Sequence, residues 1–127
     1  MAIRELILPW APGVNHLYAT VNGHRVLSRA GREYKKSVAY EILSVQCRLE
    51  RHTMMTGPLR ATIHLYPPSR RHGRYDIDGK LKIILDALGS KYGKVYKDDT
   101  QIEELHIYKH QTPLDGKVLV RIEELSV

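Results

Sequence analysis

Leu59-Arg60-Ala61-Thr62-Ile63-His64-Leu65-Tyr66, set between Gly57-Pro58 and Pro67-Pro68, is the stretch that decides the fold. Leu59, Ala61, Ile63 and Leu65 alternate with Arg60, Thr62, His64 and Tyr66. Successive side chains of a strand point to opposite faces, so this pattern predicts a strand with one face buried. The prolines stop it, because they bring no N–H to a ladder. The period then changes. After the basic loop Ser69-Arg70-Arg71-His72-Gly73-Arg74, the residues Ile77, Leu81, Ile84, Leu85 and Leu88 recur at three- and four-residue spacing. They predict a helix over about residues 77–91 with these positions as its buried stripe. Asp76 stands at its start, where a carboxylate can cap unpaired N–H groups and meet the positive end of the helix dipole.

Upstream, residues 3–8 read as a first strand ended by Pro9, and Pro9 to Gly13 as loop. Asn22-Gly23 supplies the two positive-φ positions of a type I′ turn, so Tyr18 to Ser28 predicts a hairpin. Ser28 then caps a long amphipathic helix over about residues 29–51, with Tyr34, Val38, Ile42, Val45 and Leu49 on one face. Downstream, Gly93 and Lys94 to Asp99 read as loop. Strands follow near 101–109 and 117–124, with Asp115-Gly116 as the turn between them. The sum is one domain over residues 1–127 of the α+β class, a mixed β-sheet with two main helices packed on one face.

Composition narrows the partners. The 127 residues carry 20 Lys+Arg against 14 Asp+Glu, a formal net charge of +6, which favours a polyanion such as nucleic acid. Cys47 is the single cysteine, so no intrachain disulfide can form and a reducing compartment fits. The N-terminus lacks the apolar core of a signal peptide, and no run approaches a membrane span. A cytoplasmic protein with no membrane partner is the expectation.

Within this basic chain the acids are grouped. Asp76-Ile77-Asp78 precedes the second helix and Asp98-Asp99 precedes a strand. Asp78, Lys82 and Asp86 fall on one ridge of that helix at i, i+4 spacing. Carboxylates from two elements make a hard-oxygen set suited to Mg²⁺, and a lysine beside them can stabilise charge growing on a phosphodiester. The plainer reading makes Asp76 a helix cap, Asp98 or Asp99 a turn residue and Asp78–Lys82 a surface ion pair. D-x-D spacing is too common to choose between the two. His106 and His110 have the spacing of helical metal ligands, but on a strand that spacing separates the rings, which argues against zinc.

Several short patterns in a fixed order add a resemblance. Leu8-Pro9-Trp10-x-Pro12 with Asn15 and Tyr18, Leu27-Ser28-x-x-Gly31-x-x-Tyr34, Arg74-x-Asp76-Ile77-Asp78-x-x-x-Lys82, Asp86-Ala87-Leu88 and Asp98-Asp99-x-Gln101-Ile102 together resemble the RusA family of Holliday junction resolvases, from about residue 6 to 125. The resemblance implies a homodimer that binds four-way branched DNA and nicks two strands symmetrically with Mg²⁺, Mn²⁺ being able to substitute, and with no organic cofactor. It implies Asp76, Asp78 and Asp99 as catalytic metal ligands, with Asp98 as the alternative to Asp99, and Lys82 as the catalytic lysine. Such proteins are often carried by bacteriophages and prophages, so a bacterial nucleoid or phage setting is expected.

The chain departs from the family pattern in two places. Gly79 stands where D-x-D-N would put an amide, and Tyr75, not a basic residue, directly precedes Asp76. Arg70, Arg71, Arg74, Lys80 and Asn15 are the expected DNA contacts, with Lys80 offered as a substitute for the missing amide. Trp10, between two prolines, reads as a packing anchor. A catalytically silent junction-binding domain and a broader flap nuclease are the alternatives to the resolvase.

Overall fold

A computed structural model describes residues 3–13, 18–48, 54–69, 75–89, 91–111 and 115–125, without the side chains of Tyr18 and 45–48. Among them the strands are β1 (Ile3–Pro9), β2 (Tyr18–Val21), β3 (His24–Leu27), β4 (Leu59–Tyr66), β5 (Ile102–Lys109) and β6 (Lys117–Glu124). The helices are α1 (Arg29–Arg48) and α2 (Ile77–Ala87), and a 3₁₀ turn spans Asp99–Gln101.

The expected architecture holds: an α+β fold on a mixed four-stranded sheet in the order β1-β6-β4-β5. β6 is antiparallel to both β1 and β4, while β4 and β5 run parallel. Asp115-Gly116 therefore does not close a hairpin; the strands it joins lie on either side of β4. Both residues do take positive φ, 53° and 67°. The parallel pair needs a crossover, and α2 with the tract after it supplies one.

β4 behaves as its alternation dictates. Leu59, Ala61, Ile63 and Leu65 are buried, and Arg60, Thr62, His64 and Tyr66 face the opposite side. Val118, Val120 and Ile122 of β6 and Leu8 of β1 extend the buried face. Tyr34, Val38 and Ile42 of α1 join the same core with Ile83, Ile84, Ala87 and Leu88 around α2. Ser28 caps α1, its Oγ accepting from the Gly31 N–H at 3.1 Å. The β2–β3 hairpin turns through Asn22 and Gly23, both at positive φ (51° and 77°) as a type I′ turn requires.

α2 differs from expectation in length and rotation. It ends at Ala87, four residues early, because the following chain doubles back and takes its last carbonyls. The Gly93 N–H donates to Ala87 O (2.9 Å) and the Val95 N–H to Leu88 O (3.0 Å). Glycine is required at 93: a Cβ there would lie 2.7 Å from Ile42 Cδ1 and 2.8 Å from Ala87 O. The buried face comprises Lys80, Ile83, Ile84 and Ala87, while Ile77 is exposed. Residues 81–88 are apolar at so many positions that spacing alone leaves the helix free to rotate; the inward turn of Lys80 decides it.

Candidate active site

The tract after α2 is what returns Asp98 and Asp99 to that helix. Val95 and Tyr96 are fully buried, and the Met55 N–H donates to Val95 O of this tract at 2.8 Å. The Tyr96 hydroxyl donates to Leu85 O at 2.5 Å, and that carbonyl lies in the last turn of α2, where helical partners run out. Burial, then Asp99, Asp86 and Asp98 in turn, push the Tyr96 hydroxyl pKa well above its ordinary value. The charges of three carboxylates thus bear on one anchored tyrosine.

The two neighbouring aspartates divide their tasks. Asp98 is the N-cap of the 3₁₀ turn: its Oδ1 accepts from the Thr100 N–H at 3.0 Å, and Gln101 Oε1 accepts from the Asp98 N–H at 3.0 Å. Gln101 is itself held by donating to Met55 O and Gly57 O, both at 3.0 Å. The Thr100 backbone bond keeps the Asp98 carboxyl below the usual aspartate range. Asp99 is pushed up, first by burial, then by its hydrogen bond with Asp98 and by the charges of Asp86 and Asp98, while Lys82 pulls it down. Asp99 is the less committed carboxylate.

Asp86, Asp98 and Asp99 line one cavity of about 230 Å³ with Lys35, Lys91, Lys97, Leu85, Gly89 and Tyr92. Lys82 Nζ lies 3.4 Å from Asp86 Oδ2 and its side chain remains largely exposed. Lys35 Nζ stands 5.2 Å from the Tyr92 ring centroid. Asp86 was absent from the ligand set that the sequence suggested. The i, i+4 ridge Asp78–Lys82–Asp86 carried the signal, but which end of the ridge Asp99 meets is a tertiary fact.

Asp76 and Asp78 sit at the other end of α2, both exposed. Asp76 occupies the N-cap position with extended backbone (φ −84°, ψ 137°), yet its side chain makes no capping bond. Asp76 therefore makes no side-chain capping bond, while Asp98, read as a turn residue, caps the 3₁₀ turn. Because β4 and β5 are parallel, the start of α2 and the start of β5 lie toward opposite ends of the crossover. With a ~1.5 Å rise per residue, Asp78 and Asp86 are about 12 Å apart along the axis. Accordingly, no three His, Cys, Asp or Glu side chains gather as a metal-holding group among the described residues.

Lys80 is the one site expectation that the structure relocates. It is 8% exposed, and its Nζ donates to Ala11 O at 2.7 Å and lies 4.8 Å from the Trp10 ring centroid. Burial lowers its pKa. A side chain so enclosed is not presented to a phosphate backbone, and Lys80 does not replace the amide missing at Gly79. Trp10 is the packing anchor expected, edge-on to Tyr75 at 5.0 Å and 86°. Asn15, Arg70, Arg71 and Arg74 lie outside the described residues, as does the side chain of Cys47. His110 pairs with His64 (Nε2 to Nδ1, 2.9 Å) at the end of the parallel strands, away from His106.

What this geometry defines is an acidic, lysine-rimmed cavity on the crossover of a basic α+β domain. The model of the family described as endodeoxyribonuclease RusA matches residues 9–123, and the chain belongs to that family. It is 28% identical over 122 residues to the crossover junction endodeoxyribonuclease RusA of Escherichia coli strain K12, covering 96% of this chain and 95% of that protein. Its identity to the enzymes of the same name from Enterobacteria phage 82 and Enterobacteria phage HK97 is 28% and 24%, with the same coverage. No helix among the described residues is long and apolar enough to cross a membrane.

Proposed function

We propose that this protein is a cytoplasmic, divalent-metal-dependent endodeoxyribonuclease that resolves four-way DNA junctions by paired nicks, acting as a homodimer. The observation that carries the reading is Asp99. Its carboxyl is crowded by Asp98 and Asp86 and raised in pKa, beside a lysine and at the edge of a cavity. Structure unaided gains nothing from crowding like charges; a cation site does. Membership of a family of DNA endonucleases, the net charge of +6 and full-length similarity to crossover junction enzymes support the substrate. Two nicks across a two-fold junction also suit a two-fold enzyme.

The donor set fits Mg²⁺. It consists of hard carboxylate oxygens, and Mg²⁺ is commonly held by one or two protein carboxylates with waters and substrate phosphates completing the shell, so three preassembled ligands are not required. The carboxylates fall in two pairs that would each hold a divalent ion: Asp99 with Asp86, and Asp76 with Asp78 about 12 Å away along the axis of α2. A bound divalent ion supplies Lewis acidity toward the phosphodiester and the attacking water. The remaining work falls to the chain itself. Lys82, exposed at 59%, presents its ammonium where charge builds on the phosphate oxygens. Asp98 holds the turn that aims Asp99. Arg70, Arg71 and Arg74, which precede Asp76 in the sequence, are assigned bidentate phosphate contacts, and Asn15 a further contact to the DNA.

The test is cleavage of a labelled synthetic four-way junction with Mg²⁺, against linear duplex, flap and single-strand controls, with Asp78→Asn alongside. Paired nicks in the junction, lost in the variant while binding persists, are expected. Binding without cleavage in Mg²⁺ or Mn²⁺ would replace the nuclease with a silent binding domain. Equal cutting of every branched substrate would remove the junction selectivity.

A further inference from the structure

We propose that Lys80 is a positioning residue, a buried ammonium that latches the N-terminal loop onto α2 and so sets the direction of Asp76 and Asp78. The proposal rests on the reading of those carboxylates as site residues. Lys80 has for partners one backbone carbonyl, Ala11 O at 2.7 Å, and two ring faces, Trp10 at 4.8 Å and Tyr75 at 5.9 Å to the centroid. An apolar side chain would fill this space without desolvating a charge. The ammonium instead satisfies a carbonyl of an irregular loop that has no strand or helix partner to accept from.

A second lysine repeats the device from the sheet. Lys109, at the end of β5, donates from Nζ to Tyr75 O at 2.6 Å and lies 4.5 Å from the Tyr75 ring centroid. Trp10 meets Tyr75 edge-on, closing the group. Loop, helix and sheet are thus tied together at the peptide that immediately precedes Asp76. Asp76 is extended and makes no capping bond, so its direction follows from how the Tyr75 peptide is held. Asp78 precedes Lys80 by two residues, about 200° around a helix. Burying Lys80 therefore turns Asp78 outward.

Lys80→Met keeps the length of the side chain and removes its charge and donor. Trp10 is the only tryptophan, so its emission reports on the latch directly. The expected results are a red-shifted Trp10 emission, a several-fold higher Mg²⁺ concentration for half-maximal nicking, a lower kcat, and unchanged junction affinity measured without divalent metal. Lys80→Arg, which retains charge and donor, should recover both emission and metal requirement. Lys109→Met, which frees the Tyr75 carbonyl, should raise the metal requirement in the same direction and carries the test if Lys80→Met does not fold. Wild-type emission with a wild-type metal requirement in Lys80→Met would overturn the proposal. So would a loss of thermal stability with the metal requirement unmoved, since that marks a purely structural lysine. Emission is read without DNA. A wild-type protein that never nicks would therefore sink the nuclease reading, and the latch would still stand or fall on Trp10.

Discussion

Replacing Tyr96 with phenylalanine isolates the bond that returns Asp98 and Asp99 to α2. The ring stays, and it is fully buried, so packing is nearly conserved. The hydroxyl goes, and with it the 2.5 Å bond to Leu85 O. That carbonyl has no ordinary helical partner to fall back on, because the Gly89 N–H already donates to Asp86 O at 3.2 Å. Leaving this half-buried acceptor without its donor costs at most the about 1–3 kcal/mol of a buried unsatisfied group. For a domain of this size, that predicts a melting midpoint lower by roughly 3–10 °C. In urea the midpoint should fall with the slope unchanged, since the surface exposed on unfolding is the same. Asp99 loses its fixed place beside Asp86, so cleavage at saturating junction should slow while binding persists. A melting midpoint within a degree of wild type, or equal losses in binding and cleavage, would refute this account of how Asp99 is held.

Three further outcomes are expected. Asp98→Asn keeps the acceptor for the Thr100 N–H but removes a charge facing Asp99. Asp99 in the wild type holds its proton to a higher pH than an ordinary aspartate, so cleavage fails early on acidification, and the variant's acid limb should move to lower pH with stability nearly unchanged; a pH–rate profile that shifts upward or stays put contradicts this. Gly93→Ala drives a methyl against Ile42 and the Ala87 carbonyl and should destabilise by about 1–3 kcal/mol in urea titration. Lys82→Ala should slow cleavage about 10²-fold while weakening junction binding little, and matched losses would remove its transition-state role.

Local chemistry was legible wherever one residue's neighbours in the chain dictate its state. The β4 alternation, the Asn22-Gly23 turn and the Ser28 cap each involve contacts within a few residues, and each appears as read. The carboxylates were visible as a set for the same reason: D-x-D and D-D are local patterns, and the ordered motifs around them pointed to the RusA family that the chain belongs to. Rotation of α2 was not legible. Between residues 81 and 88 too many positions are apolar for periodicity to choose a face, and the choice falls to a loop more than 60 residues away whose Ala11 carbonyl draws Lys80 inward.

By itself, then, the sequence determined the elements, the α+β class, the excess of positive charge and the residue types of the site. The tertiary structure alone decided that β6 enters between β1 and β4, that β4 and β5 run parallel, and that Asp99 therefore meets Asp86 and not Asp78. It also decided which aspartate side chain caps: Asp98 accepts from the Thr100 N–H, and Asp76, at the N-cap of α2, makes no such bond. The physical reason is common to all of these. Strand order, helix rotation and carboxylate crowding are set by contacts between residues distant in the chain, whose free energies depend on burial and on which polar groups remain to be satisfied once the core has closed.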